Sequence, residues 1–291
     1  MRVQTALLLL TANVLGGATY AAMKLAMAGV PASWVVAIRI GLVGLGAGIA
    51  LGRDAMRWEY RGRDLGLLLL VSVLGYALPI ALILPGLRHA PSVNASLLIL
   101  LEPIGIVILS ALFLKERSTR MQAAGILLGL AGSALVILEG APGRVEAGGE
   151  LQGNLILALQ ALLWSVWTVA AKPLLKRHSA LSVTYASSVA AFLCVLPFVS
   201  TRTAGVTSSG MLWSAVVGVA MFVSSWCWNE GLQRASAAVV AAFIFTQPLV
   251  GVLLGRLAFG ERLGPWAMGG GAVTCLAVLL VAKGERKAIA A

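Results

Sequence analysis

Ten runs of about twenty apolar residues, separated by short stretches of Gly, Pro and charge, leave this chain few folds to choose from. The runs fall near 4–27, 32–52, 64–87, 92–114 and 121–138, then near 153–175, 180–200, 210–233, 236–258 and 265–282. A helix rises about 1.5 Å per residue and the hydrocarbon core is about 30 Å thick, so each run is sized for one crossing. With 59% hydrophobic and 11% charged residues among 291, an ordinary soluble domain and a disordered chain are both excluded. The connectors leave no room for a separate soluble domain. The expected fold is all-α and integral to the membrane, with ten transmembrane helices.

Loop charge predicts the orientation. With both termini in the cytoplasm, the inner connections hold Arg2, Arg53, Arg57, Arg61, Arg63, Lys115, Arg117, Arg120, Lys176, Arg177, Arg234, Lys283, Arg286 and Lys287, against Arg88, Arg144, Arg202, Arg256 and Arg262 outside. Lys and Arg accumulate on the cytoplasmic side, so fourteen against five predicts a multi-pass membrane protein with both termini cytoplasmic. The net charge of +11 is scattered over these loops rather than gathered on one face, which argues against nucleic acid as a partner. Cys194, Cys227 and Cys275 fall in apolar runs without paired or metal-ligand spacing, and read as small buried hydrophobes. The first apolar run continues past Tyr20 with further spans behind it, and reads as an uncleaved helix.

The connector from Glu139 to Gln152 divides the chain into two blocks of five spans: 1–140, a connecting loop 141–152, and 153–291. An odd number of spans per block inserts the second block upside down, so the expected repeat is inverted. The letters repeat as well. Shifted by 145, Gly86-Leu87 falls on Gly231-Leu232, Ile99 on Ile244, Pro103 on Pro248 and Glu116-Arg117 on Glu261-Arg262; at 148, Lys24 falls on Lys172.

The fourth span of each block is interrupted. Glu102-Pro103 stands about ten residues from either end of its span, and Thr246-Gln247-Pro248 repeats the device 145 residues later. A carboxylate at mid-depth costs about 2.5 kcal/mol or more and faces the bundle interior or a water-filled cavity. Pro103 removes a backbone donor and clashes with the carbonyl one turn earlier; the freed carbonyl must be met by protein or by cavity water. Two interrupted helices at matching places point to a transporter's binding site near the midplane.

These features resemble the EamA-type branch of the drug/metabolite transporter superfamily, in particular the bacterial metabolite exporters similar to aromatic amino acid exporters. The resemblance is carried by Glu102-Pro103, Lys115-Glu116-Arg117 and Gly125 to Gly132 in the first block, and by Gln247-Pro248, Gly260-Glu261-Arg262 and Gly269 to Gly271 in the second. Lys115 departs from the pattern, where the second block has Gly260. The resemblance covers the whole chain and implies export across the inner membrane. It also implies that the first, third and fourth helices of each repeat line a central cavity, with the fifth helices packed away from it. It is nearly silent about cargo.

Within that frame Glu102 reads as a contact for a substrate amine or as a carboxylate that exchanges a proton. The structural alternative is an ion pair with Arg39 or a bond to the carbonyl freed by Pro103. Gln247, its partner at the shift of 145, is neutral and suits either end of a zwitterion. Trp164 and Thr168 are four residues apart on one helical face, where the first block has Gly16 and Tyr20, so an aromatic wall faces a gap. Asn13 and Tyr76 complete the polar minority at that depth. Arg39, Lys24 and Lys172 read as side chains that snorkel toward the headgroups. Trp226 and Trp228 fit an inner vestibule or an interface belt equally well. Gly44-x-x-x-Gly48 and Gly125-x-x-x-Gly129 read as packing faces.

The substrate site is therefore expected at Glu102, Gln247, Trp164, Tyr76, Asn13, Tyr20 and Thr168, with helix breaks at Pro103 and Pro248. The expected activity is export, by alternating access, of amino acids, aromatic or other large apolar ones in preference, or of similar small metabolites. The alternatives are an organic-cation exporter, a channel, or a membrane scaffold that transports nothing. His89 and His178 have no cysteine or carboxylate cluster near them in sequence, and no phosphate-cradling loop or nucleophile motif occurs, so no enzyme, cofactor or metal is expected. The expected partners are a small-molecule substrate and the lipid bilayer, with protons permitted but not required, in a monomer or homodimer.

Overall fold

The computed structural model describes residues 3–57, 59–89, 98–116, 118–139, 151–201, 205–250 and 265–290. Every regular element among them is a helix, as expected where lipid offers backbone N–H and C=O groups no partner and each segment must bond to itself. In chain order these are α1 (Val3–Met27), α2 (Ala32–Leu51), α3 (Gly62–Ser72), α4 (Leu78–His89), α5 (Leu101–Leu109), α6 (Arg120–Glu139), α7 (Leu151–Leu175), α8 (Ala180–Val195), α9 (Ser208–Arg234), α10 (Ala237–Ile244) and α11 (Pro265–Ala290). A further short helix runs over 246–250. Five stretches are long and apolar enough to cross a membrane: Ala32–Ala55, Gly62–Ile83, Gln152–Leu175, Ala180–Phe198 and Ser208–Arg234. Shorter apolar helices occupy Val3–Thr19, Leu101–Leu114, Ala237–Val250 and Met268–Gly284. The connecting loop at 141–150, and the motif Gly260-Glu261-Arg262, lie outside the described residues.

Helices pair across the two halves of the chain. α1 packs on α9, α2 on α8 and α9, α4 and α5 on α7, and α6 on α11. Small residues let these pairs approach: a Cβ on Gly132 would stand 2.8 Å from the Gly270 carbonyl oxygen, and one on Gly44 would only touch Ser188 at 3.5 Å. α6 and α11 form a separate pair beside the bundle, with Leu127, Leu276 and Leu279 exposed toward what would be lipid.

Two π-helical turns, Val73–Ala77 between α3 and α4 and Ser110–Leu114 after α5, were not legible in the sequence. The first brings Gly75 against α7, where a Cβ would lie 2.7 Å from Trp167 Cα. Only glycine fits there. The wider turn also presents Tyr76 beside it, and such turns recur at functional sites. The second ends at Lys115, in the left-handed conformation with φ 56°. That backbone costs a non-glycine residue about 1–2 kcal/mol, which is what Lys115 entails where the resemblance expects glycine.

The prolines do not break the helices in the expected way. The interruption falls ahead of them, at a turn over Ile99 and Leu100 in one helix and at Phe245 in the other. Pro103 is the third residue of α5 and Pro248 the third residue of the helix over 246–250. In a first turn the N–H has no intrahelical acceptor, so proline removes nothing there and meets no carbonyl from a preceding turn. Leu100 (φ −67°, ψ −11°) and Phe245 (φ −60°, ψ −14°) bend the backbone alike.

Candidate functional site

The bends over Ile99–Leu100 and at Phe245 bring Glu102 and Gln247 to the wall of a central cavity of about 100 Å³, room for several waters. α1 contributes Ala12, Asn13, Gly16 and Thr19; the segment from the π-turn into α4 contributes Tyr76, Pro79, Ile80 and Ile83. α7 adds Gln160, Trp164 and Trp167, α9 adds Met221, Ser224, Ser225 and Trp228, and α2 adds Arg39.

Backbone groups freed by the bend at Ile99–Leu100 are satisfied locally. The Glu102 N–H donates to the Ile99 carbonyl at 3.0 Å, and the Ser165 hydroxyl donates to the Glu102 carbonyl at 2.9 Å. The Glu102 carboxylate is different. It is buried, at 8% exposure, yet it has no hydrogen bond or ion pair among the described residues, and it lines the cavity. Both structural alternatives fail there: it makes no pair with Arg39 and does not bond a freed carbonyl. Gln247 is tied instead, donating from Nε2 to Asn13 Oδ1 at 2.9 Å, while Asn13 Nδ2 donates to the Leu9 carbonyl at 2.8 Å. An unsatisfied buried charge costs several kcal/mol, a cost that a proton, water or a ligand relieves.

Aromatic rings line the same cavity. Tyr76 and Trp164 meet edge to face with centroids 6.0 Å apart, Trp164 and Trp167 likewise at 6.1 Å, and Trp228 continues the cluster 6.4 Å from Trp167. Gly16 also lines the cavity, and a Cβ there would meet Gln247 Nε2 and Ser224 Oγ at 3.8 Å. The indole N–H groups of Trp167 and Trp228 have no acceptor among the described residues.

Of the residues expected at the site, Glu102, Gln247, Trp164, Tyr76 and Asn13 line this cavity together. The side chain of Tyr20 lies outside the described residues. Thr168 is displaced from the wall: it is fully buried and its hydroxyl lacks a hydrogen-bond partner among the described residues. Helical drift is the reason. Starting from Gln160, seven residues turn through about 700°, close to two full turns, whereas eight overshoot by about 80°, so Trp167 and not Thr168 continues the stripe.

Two expectations need correction, at Arg39 and Lys172, and the choice left open at Trp228 is decided. Arg39 does not snorkel outward; it is buried, lines the cavity and directs Nη1 at Met23 Sδ, 3.5 Å away. The second helix thus reaches a cavity that the family resemblance reserved for other helices. Trp228 is a cavity wall rather than an interface residue, and Met221, Ser224, Ser225 and Trp228 share one face at spacings of three, four and seven, the signal that would have found them. Lys172 is held inside the protein. Its Nζ pairs with Glu116 Oε1 at 2.6 Å and donates to the Ala235 carbonyl at 2.9 Å, while Glu116 Oε2 accepts from the Ala237 N–H at 2.9 Å, capping α10. The side chain of Lys24 lies outside the described residues.

A second polar cluster joins the start of α3 to the turn between α7 and α8. Asp64 pairs with Arg177 and accepts from His178 Nε2 at 3.1 Å, and the His178 ring packs 4.3 Å from Tyr60. Burial pushes the Tyr60 phenol up to about 12, opposed by its bond with Ser182. No group of three or more His, Cys, Asp or Glu able to hold a metal occurs among the described residues.

Comparison with known proteins places this geometry. The sequence profile of the EamA-like transporter family matches residues 4–138 and again 151–283. A protein of Streptantibioticus cattleyicolor named "Probable terminal-alkyne amino-acid exporter" is 29% identical over 271 residues, 86% of this chain and 89% of its own. The aromatic amino acid exporter YddG of Ancylobacter novellus is 27% identical over 223 residues, 74% of either chain. A solved crystal structure superposes with a TM-score of 0.81 over 99% of this chain and 98% of its own, at 23% identity, and so shares the fold.

Proposed function

The chain belongs to the EamA-like transporter family, a membrane transporter and not an enzyme, and from that premise we propose that it exports amino acids, with aromatic and other large apolar ones preferred. The carrying observation is the buried Glu102 carboxylate, which opens on a cavity walled by Tyr76, Trp164, Trp167 and Trp228 and has no partner among the described residues. A carboxylate attracts the substrate ammonium, and the rings stack on an apolar or flat side chain, each such contact contributing about 0.5–2 kcal/mol. That is enough for selection without trapping the cargo. The two relatives named as amino-acid exporters support the same cargo class.

In this reading the chain crosses the inner membrane ten times, with both termini cytoplasmic. Residues 1–140 and 153–291 act as two inverted five-helix repeats that rock about the cavity to expose it alternately to either side. Glu102, Gln247, Asn13, Trp164 and Tyr76 contact the cargo. The competing cargo is an organic cation, for which one carboxylate and an aromatic wall would also serve.

Efflux from proteoliposomes preloaded with labelled phenylalanine, tryptophan, threonine or a quaternary ammonium dye tests the reading. Saturable amino-acid efflux that collapses in Glu102→Gln is the expected result. Efflux of the dye alone would transfer the protein to the organic-cation reading, and non-saturable flux would make it a channel.

A further inference from the structure

We propose that Gln160 is a cargo-binding residue, and that the open junction between its amide and the Glu102 carboxylate holds the polar end of the amino acid. Glu102 accepts from the ammonium, and Gln160 Nε2 donates to a carboxylate oxygen. This deepens the amino-acid reading above and rests on it.

The first ground is commitment. Among the described residues three side-chain amides line the cavity, on Asn13, Gln160 and Gln247. Two are spent on each other and on the backbone, since Gln247 Nε2 donates to Asn13 Oδ1 at 2.9 Å and Asn13 Nδ2 to the Leu9 carbonyl at 2.8 Å. Two hydroxyls on the same wall are spent likewise, Thr19 donating to the Gly16 carbonyl and Ser224 to the Ala12 carbonyl. Gln160 is buried, at 4% exposure, yet its amide has no hydrogen-bond partner among the described residues. A buried amide without a partner is costly, and a polar group that enters the cavity relieves that cost.

The second ground is the comparison of the two blocks. At a shift of 145 Glu102 falls on Gln247, and at 148 Asn13 falls on Ala161, next to Gln160. Packing follows the same correspondence. A Cβ on Gly17 of α1 would lie 3.0 Å from the Gln247 carbonyl oxygen, and its counterpart Ser165 on α7 donates to the Glu102 carbonyl. Each junction between the blocks thus sets a helix that carries an amide against an interrupted one. In one junction a 2.9 Å bond from Gln247 to Asn13 closes the gap. In the other, a carboxylate and an amide donor, which bond readily where they meet, stay apart. A gap that neither side chain closes leaves room for a ligand that reaches both.

Level supplies the orientation. Gln160 precedes Ser165 by five residues, about 7.5 Å of rise, so it stands toward the N-terminal end of α7 from the Glu102 backbone. It shares a face with Trp164 and Trp167, four and seven residues on, and all three line the cavity. The bound amino acid would direct its carboxylate toward that end and lay its side chain on the rings.

The test co-loads proteoliposomes with labelled phenylalanine and one unlabelled competitor, either phenylalanine or phenethylamine, which lacks the carboxylate, and reads the inhibition of labelled efflux. Wild type is expected to favour phenylalanine over phenethylamine by about tenfold or more, since a site built for a polar group rejects the analogue that lacks it. Gln160→Met keeps the length of the side chain and removes both polar atoms. It should weaken phenylalanine about tenfold and leave phenethylamine within about twofold. Gln160→Asn, which keeps the amide on a shorter reach, should recover part of that loss. Phenethylamine competing as well as phenylalanine in wild type would overturn the proposal without any variant. Phenylalanine unchanged in Gln160→Met, or both compounds weakened equally by it, would overturn the proposal while leaving the amino-acid reading intact. Absence of amino-acid efflux from wild type would end both. Should Gln160→Met fail to fold in detergent, Gln160→Asn reads the same split between the two competitors.

Discussion

The two interrupted helices share a backbone and differ in nearly everything attached to it. Each bends at a residue near φ −65° and ψ −12° and restarts with proline third in the new helix. Around that common bend the packing is reversed. In the first, Gly105 on the interrupted helix makes room for Ser165 on α7, whose hydroxyl bonds the Glu102 carbonyl. In the second, Gly17 on α1 makes room for the interrupted helix: a Cβ there would lie 3.0 Å from the Gln247 carbonyl oxygen and 3.3 Å from Val250 Cβ. At a shift of 148 Gly17 falls on Ser165, and at 145 Gly105 falls on Val250. The glycine has changed sides. Duplicated backbone geometry thus leaves the side chains free to diverge, and they have done so where it matters, with an open carboxylate on one helix and a tethered amide on the other.

The strongest challenge to this asymmetry is to exchange its polar residues. Glu102→Gln makes the two helices alike and is expected to lower amino-acid efflux about a hundredfold, equivalent to ~2.7 kcal/mol. The double variant Glu102→Gln with Gln247→Glu moves the charge to the other helix. No recovery is expected, because a carboxylate at 247 would face the Asn13 carbonyl oxygen; full recovery would show the two positions to be equivalent.

Next comes the packing. Gly105→Ala would drive a methyl into Ser165 and to within 2.9 Å of its Cβ, costing about 2–4 kcal/mol between overpacking and the lost bond to Glu102. Thermal unfolding in detergent should show the loss, and adding Ser165→Gly should return part of it. Gly17→Ala, with contacts of 3.0–3.3 Å, should cost less, about 1–2 kcal/mol. Equal losses at the two glycines would contradict the reversed packing.

Ser165→Ala removes the donor to the Glu102 carbonyl and is expected to cost about 1–3 kcal/mol, again read from the unfolding temperature. The smallest effect is expected at the other helix. Asn13→Ala frees the Gln247 amide beside a cavity that water can reach, at a cost of about 1 kcal/mol and a change of a few fold in KM.

Much of this was legible in the letters. Apolar run lengths specify helices because lipid offers no other way to satisfy a backbone, and the cost of a buried carboxylate directs Glu102 to a cavity wherever that cavity lies. Mid-span polarity singled out Asn13, and the Gly16 counterpart singled out Trp164 as a wall. Tertiary structure decided what depends on rotation and on neighbours. Arg39 and Lys172 look alike in sequence, as basic residues within reach of a span end, yet one lines the cavity and the other is locked to Glu116. Thr168 shares a helix with Trp164, but a drift of tens of degrees takes it off the wall. The prolines announced a break without giving its position, since proline is strained inside a helix and at ease in its first turn. Sequence determines which groups cannot face lipid; only the packed bundle determines which of them face one another.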